Sequence, residues 1–223
     1  MCGRYSFAVS KEKVNKHFGL SIQDDLTKRY NIAPTQVAYV IANDDPEELQ
    51  QFKWGLVPNW AKSADFGSNL INARSESIAT KPSFRMSIRK NRCLILSDGF
   101  YEWKKYGSKK IPHRIISKKS QLLVFAGLWD EWQGEKTFTI ITTTPNEEMK
   151  SIHNRMPVIL PTIDDQKRWL SDMPLKEVLA MLKPVEDNTL KIYAVSDKLN
   201  KVDYDESDLW KEVKAPPTLF DFT

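Results

Sequence analysis

Metal ligands and crosslinks are scarce in these 223 residues: two cysteines, Cys2 and Cys93, and three scattered histidines, His17, His113 and His153. Two cysteines so far apart give neither a disulfide framework nor a zinc site, so no structural metal is expected. Only eight glycines are present. None forms a phosphate-binding loop or a dinucleotide fingerprint, and there is no serine elbow. No apolar run approaches a membrane span, and the first residues lack the apolar centre of a signal peptide. Repeats, low-complexity tracts and a clear interdomain linker are absent as well. Charge of one sign does not dominate: 33 Lys and Arg against 29 Asp and Glu give +4, which allows an anionic partner without requiring one. What is present is 41% hydrophobic content, enough for a substantial core, and seven tryptophans. That many indoles imply a heavily aromatic core or exposed stacking surfaces. The chain reads as a cytosolic protein in which Cys2 stays reduced, with monomer as the default state.

The opening Met1-Cys2-Gly3-Arg4 carries the most chemistry. Removal of Met1 gives Cys2 a free α-amine beside its thiol. Their ordinary pKa values are about 8 and about 8.5, so both are partly nucleophilic near neutrality. An amine condenses with an aldehyde to an imine, and the neighbouring thiol closes onto the imine carbon as a thiazolidine. Gly3 leaves room for a substrate and Arg4 supplies a fixed cation. A bland alternative is a small residue in a frayed terminus. The alternation of Arg4-Tyr5-Ser6-Phe7-Ala8-Val9 argues against fraying, because a strand would anchor the terminus.

Further along, Ser10 opens a helix with Val14 and Phe18 on one face. Arg29 to Thr35 reads as a loop fixed by Pro34, before a strand over Val37–Ile41 and a hairpin partner over Gln51–Pro58. Trp60 and Phe66 stand in a polar stretch as candidate stacking platforms, although a loop tryptophan is more often a buried anchor. Asn72, Arg74 and Glu76 alternate, and so share one polar strand face. A short basic helix is expected over Pro82–Arg89. Cys93-Leu94-Ile95-Leu96 reads as a buried strand with a core thiol. It leads to Glu102, set between Tyr101 and Trp103. A carboxyl held against aromatic rings is raised in pKa by desolvation, which suits proton transfer near neutrality, whereas in isolation an edge-strand Glu facing water is the commoner outcome. Lys104, Lys105, Lys109 and Lys110 around Gly107 form a basic hairpin tip, usually a solvated loop.

Strands recur over Pro112–Ile116, Leu122–Leu128 and Thr137–Thr142. Thr144-Pro145-Asn146-Glu147 reads as a capping box. It leads to His153, Arg155 and Pro157, where His153 is either an acid or base or a donor to an anion, if not simply structural. Helices follow over Asp164–Leu170 and Pro174–Leu182, then a strand over Leu190–Val195 and a polar, partly mobile tail after about residue 203. The whole reads as one α+β domain over 1–223, mainly antiparallel, closed or nearly closed, with short peripheral helices.

Met1-Cys2-Gly3-Arg4, Arg29-Tyr30-Asn31-Ile32-Ala33-Pro34, Trp54-Gly55 with Pro58 and Trp60, Ile71 to Glu76, Cys93-Leu94 to Asp98-Gly99-Phe100-Tyr101-Glu102-Trp103, and His153-Asn154-Arg155-Met156-Pro157 together resemble the SRAP family. These are the SOS response-associated peptidases, proteins that process abasic sites. The motifs keep their order to about residue 160. The resemblance implies a β pseudobarrel without metal or cofactor, acting on abasic sites in single-stranded DNA and nucleoid-associated when bound. It implies a covalent thiazolidine through the mature Cys2, with Glu102 moving protons, Asn72 orienting the amine and His153 against the deoxyribose oxygen. Arg4, Arg74 and Arg155 would hold phosphates, and Trp60 and Pro34 would stack on or wedge against bases. It leaves room for strand nicking through the imine and for self-removal of Met1. Where many relatives carry a second aromatic after Trp60, this chain has Ala61, which puts the width of the stacking surface in question. Two other readings stand beside this one: an N-terminal-nucleophile cysteine peptidase or amidase, and a noncatalytic single-strand binder.

Overall fold

The computed structural model describes residues 2–119 and 122–214. In chain order the strands are β1 Arg4–Phe7, β2 Arg29–Ile32, β3 Val37–Ala42, β4 Asp45–Trp54, β5 Asn72–Arg74, β6 Arg92–Ser97, β7 Gly99–Tyr106, β8 Lys109–Ser117, β9 Leu123–Trp132, β10 Glu135–Thr143, β11 Met156–Pro157 and β12 Leu190–Ala194. The helices are short: α1 Lys11–Phe18, α2 Phe66–Asn69, α3 Ser87–Lys90, α4 Glu147–Lys150, α5 Ile163–Leu170 and α6 Leu175–Ala180. Single 3₁₀ turns lie at Asp197–Asn200 and Ser207–Trp210.

Two sheets form from these strands. One runs β12-β8-β7-β1-β2, all antiparallel. The other runs β11-β10-β4-β3-β6-β9, and β9 returns to pair with β10, closing β10, β4, β3, β6 and β9 into a five-stranded barrel. The barrel is mixed because β4 joins β10 in parallel, and β5 lies parallel along the far end of the same strand. Strands β6, β9 and β10 are buried on both faces over most of their length, and the core extends from the barrel to where the two sheets meet. Tyr5 of β1 packs edge-on against Trp54 of β4 with centroids 5.2 Å apart, and against Phe125 of β9 at 6.0 Å, while Phe100 of β7 meets Phe125 at 5.9 Å. Each such ring contributes about 1.5–3 kcal/mol by burial. A smaller apolar cluster of Tyr101, Val195, Leu199 and Leu209 covers the opposite face of the five-stranded sheet.

The expected single domain of strands with small helices is therefore found, with local differences. Strand β4 begins at Asp45 rather than near Gln51, because the turn tightens onto Asn43 and Asp44 and its polar residues run out into solvent. The helix before β6 is confined to Ser87–Lys90, the preceding residues forming turns. The cap of α4 is Asn146, whose side chain accepts the Met149 N–H, and not Thr144. Thr162 caps α5 by accepting from Asp165 N, as its place before the helix suggests. Residues 205–210 are tied to β2. Asp205 accepts the Tyr30 and Asn31 backbone N–H groups and the Arg29 guanidinium, and Trp210 packs edge-on against Tyr30. Of the expected mobile tail, residues 215–223 lie outside the described residues. Among the described residues no helix is long and apolar enough to cross a membrane.

Candidate active site

Cys2 precedes β1 and is fully buried. Its carbonyl accepts a 2.9 Å hydrogen bond from Asn72 Nδ2, and its thiol lies 3.8 Å from the Arg4 carbonyl. Burial, and then the nearby Glu102 charge, push that thiol well above its ordinary range, so it is a neutral S–H here. Asn72 Oδ1 is itself buried and meets no donor among the described residues. A buried amide oxygen left in that state is costly, and it marks a place prepared for a donor.

Strand β7 supplies the acid. The β1–β7 register pairs Arg4 with Tyr101 and Tyr5 with Phe100, and one step further places Gly3 opposite Glu102. Glu102 is 3% exposed, not an edge residue facing water. Burial pushes its carboxyl up to about 7, against an opposing hydrogen bond from the Trp103 backbone. Across the sheet Glu102 is paired with His113 of β8.

The far end of β10 gathers the remaining groups. β5 pairs Asn72 with Ile140 and Arg74 with Thr142, while β11 pairs Pro157 with Thr142. Asn72, Arg74 and Glu76 thereby come beside the segment carrying His153 and Arg155. Together Arg74, Glu76, Ser77, His153, Asn154 and Arg155 line an open cavity of about 690 Å³. His153 Nδ1 accepts the Arg155 N–H at 3.0 Å, which leaves Nε2 to carry the proton of the neutral ring. Burial, with positive charge nearby, lowers the His153 pKa and favours that neutral form. Arg74 is exposed to the cavity. Arg155 is already engaged: it forks onto Glu76 at 2.6 and 3.0 Å and donates to the Thr142 carbonyl at 2.6 Å. Arg4 also has partners, donating to Asn31 Oδ1 at 2.7 Å and to the Leu199 carbonyl at 2.9 Å.

Trp60 is 54% exposed and meets Phe66 edge-on at 5.8 Å, so it is not a buried anchor. The loop bearing both rings is closed at its base by two glycines. A Cβ on either Gly55 or Gly67 would stand 2.6 Å from the other's carbonyl oxygen, and Gly55 adopts φ +126°, a region closed to most side chains. Ala61 is buried, and its carbonyl accepts from Trp132 Nε1, so nothing continues the aromatic surface at that position. Pro34 is half-buried in the turn that pairs with Trp54, the strand end from which the Trp60 loop departs. Sequence reasoning assigned no role to Asn31, Gln36 or Asp205, which brace the β2 end beneath Arg4. Asn31 lies within the Arg29–Pro34 motif, whereas nothing in the residues around Asp205 marks it.

A β barrel presenting a buried second-residue cysteine, a raised carboxyl and an arginine-lined cleft defines a class of protein. Comparison with known proteins gives that class a name: residues 1–202 match the family SOS response associated peptidase, and the chain belongs to that SRAP family. The Bacillus subtilis abasic site processing protein YoaM is 39% identical over 221 residues, covering 94% of this chain and 97% of YoaM. The Gallus gallus abasic site processing protein HMCES is 31% identical over 212 residues, covering 78% of this chain and 62% of HMCES. A crystal structure of a protein from Bacteroides thetaiotaomicron superposes with a TM-score of 0.84 at 30% identity, over 95% of this chain and all of that one.

Proposed function

We propose that this protein processes abasic sites in single-stranded DNA by condensing the mature Cys2 with the sugar aldehyde. One observation carries the reading most strongly. Asn72 holds Cys2 by its carbonyl while offering beside it a buried Oδ1 that meets no donor among the described residues, and Glu102 stands one register step away with a carboxyl near 7. That oxygen suits an N–H of the α-amine released when Met1 leaves.

The chemistry then follows from protonation states. The thiol is neutral, so the amine attacks first, adding to C1′ of the open sugar. Loss of water gives the imine, the sulfur adds to the imine carbon, and the thiol proton is relayed through a base to the imine nitrogen, which becomes the ring N–H. Glu102 can take that proton and, in its acid form, give one to the departing hydroxyl, since its pKa allows both roles at neutrality. Neutral His153, which carries its proton on Nε2, lines the same cleft and would assist opening of the sugar ring. Arg74 and Arg155 accept flanking phosphates, Arg4 holds the strand behind Cys2, and exposed Trp60 with Pro34 takes adjacent bases. Loss of Met1 by the protein's own action, with Glu102 moving the proton, belongs to the same proposal.

Intact mass before and after incubation with an oligonucleotide bearing one abasic site tests the reading. The expected result is a starting mass lacking Met1, then a heat-stable adduct equal to protein plus oligonucleotide less one water. Cys2→Ala abolishes the adduct while DNA affinity stays within about twofold. Hydrolysis of an acyl substrate with no adduct would favour the peptidase alternative instead.

A further inference from the structure

The basic hairpin noted in the sequence has no part in the reaction above, yet it grows out of the strand that carries Glu102. β7 and β8 pair in unbroken register from Glu102–His113 through Lys104–Ile111 and Lys105–Lys110 to Tyr106–Lys109. Gly107, at φ +59°, leads the two-residue turn, as a tight hairpin of right-handed twist needs. Lys105, Lys109 and Lys110 are exposed, and no carboxylate among the described residues pairs with them or with Lys104. Residues 103–111 contain no acid at all. The tip is also braced. Tyr106 lies near-parallel to the buried His113 ring at 6.2 Å and 15°, and Lys104 Nζ stands 5.2 Å from the Tyr106 centroid. A merely solvated loop needs neither the stack nor the continuous register.

We infer that this hairpin is a second phosphate-binding arm, which takes the single strand as it runs away from the lesion. The inference rests on the DNA reading and extends it. Strand rise of about 3.3 Å per residue puts Lys105 and Lys110 about 10 Å beyond Glu102 and the turn about 16 Å beyond. At about 3.4 Å per stacked nucleotide, that reach corresponds to roughly three to five nucleotides from the reacting sugar. The arm then sets a minimum length of DNA for full affinity, and contributes to oligonucleotides that extend past that distance.

The test compares equilibrium binding of undamaged single strands of five and fifteen nucleotides, by fluorescence anisotropy across a salt series. Adduct yield with abasic oligonucleotides of the same lengths is measured in parallel. The proteins are wild type, Lys105→Gln/Lys109→Gln/Lys110→Gln, and a charge-matched control on the α5–α6 side, Lys167→Gln/Lys176→Gln/Lys183→Gln. The wild type should bind the long strand more tightly. The hairpin variant should lose about tenfold or more of that gain, and its log–log salt slope should fall by about two, at roughly 0.7 per lost phosphate contact. It should match wild type on the short strand. Equal loss in the charge-matched control, equal loss at both lengths, or no length gain in the wild type would each overturn the inference. Absence of any adduct, with the length effect intact, would instead remove the abasic-site reading and leave the arm standing. All six lysines are exposed, so both variants should fold.

Discussion

At the scale of single residues, the site depends on where charges are absent as much as where they stand. Glu102 has an ordinary pKa of 4.5 and a folded value of about 7. Between those limits the folded chain holds a proton that the unfolded chain has released, so stability is full below about pH 4.5 and declines as pH rises through 7. The span is worth up to about 3 kcal/mol. Glu102→Gln should therefore melt about 5–10 °C above wild type at pH 8 and level with it near pH 4.5, by calorimetry at both pH values. The same variant should form the covalent adduct about a hundredfold more slowly while binding DNA normally. Equal loss of rate and affinity would assign Glu102 a structural role. Glu76 acts in the other direction, as an intramolecular stand-in for phosphate on Arg155. Because Glu76 is half-exposed, breaking the pair costs about 0–1 kcal/mol. Glu76→Gln should tighten single-strand binding several-fold and steepen its salt slope by about 0.7, checked by titration at several ionic strengths. The aromatic neighbours of Glu102 are visible in the sequence, but its burial is not, because that is set by β1 lying across it. Arg155 likewise reads as a free cation until Glu76 is brought opposite by β10.

At the scale of elements, periodicity served where one face is wet and failed where neighbours decide. The α1 helix, with Val14 inward and Gly19 closing it at φ +75°, is legible from its own residues. So are most of β8, β9, β10 and β12. The polar first half of β4 is not, since its pairing with β3 is what makes it a strand. Nor is the parallel placement of β5 on β10, which joins two motifs some eighty residues apart into one cleft. The loop carrying Trp60 rests on the same kind of nonlocal contact. Gly67→Ala must force apart two backbones that nearly touch, at a cost of about 1–3 kcal/mol. The expected outcome is a lower melting temperature together with weaker single-strand affinity, measured on the same preparation. A loss of stability with affinity unchanged would separate the loop from binding.

For the whole molecule, the N-terminal site is assembled by chain that comes last. Asp205 holds three donors of β2, and the Leu199 carbonyl holds Arg4. Asp205→Ala leaves those donors unsatisfied and should cost about 2–4 kcal/mol in denaturant titrations, with a parallel drop in adduct rate as Arg4 loosens. A variant that lost stability at unchanged rate would show that the brace serves the fold alone. No local pattern in the sequence points from residue 205 to residue 30, so this link lay beyond its reach. It has a further consequence, measured in seconds. Ribosomes add about 5–20 residues per second, so roughly 10–40 s pass between emergence of the second residue and of the segment that completes its surroundings. During that interval the terminus is an ordinary unfolded peptide, open to trimming by any enzyme waiting at the exit tunnel. Once the last turn docks, Cys2 lies fully buried.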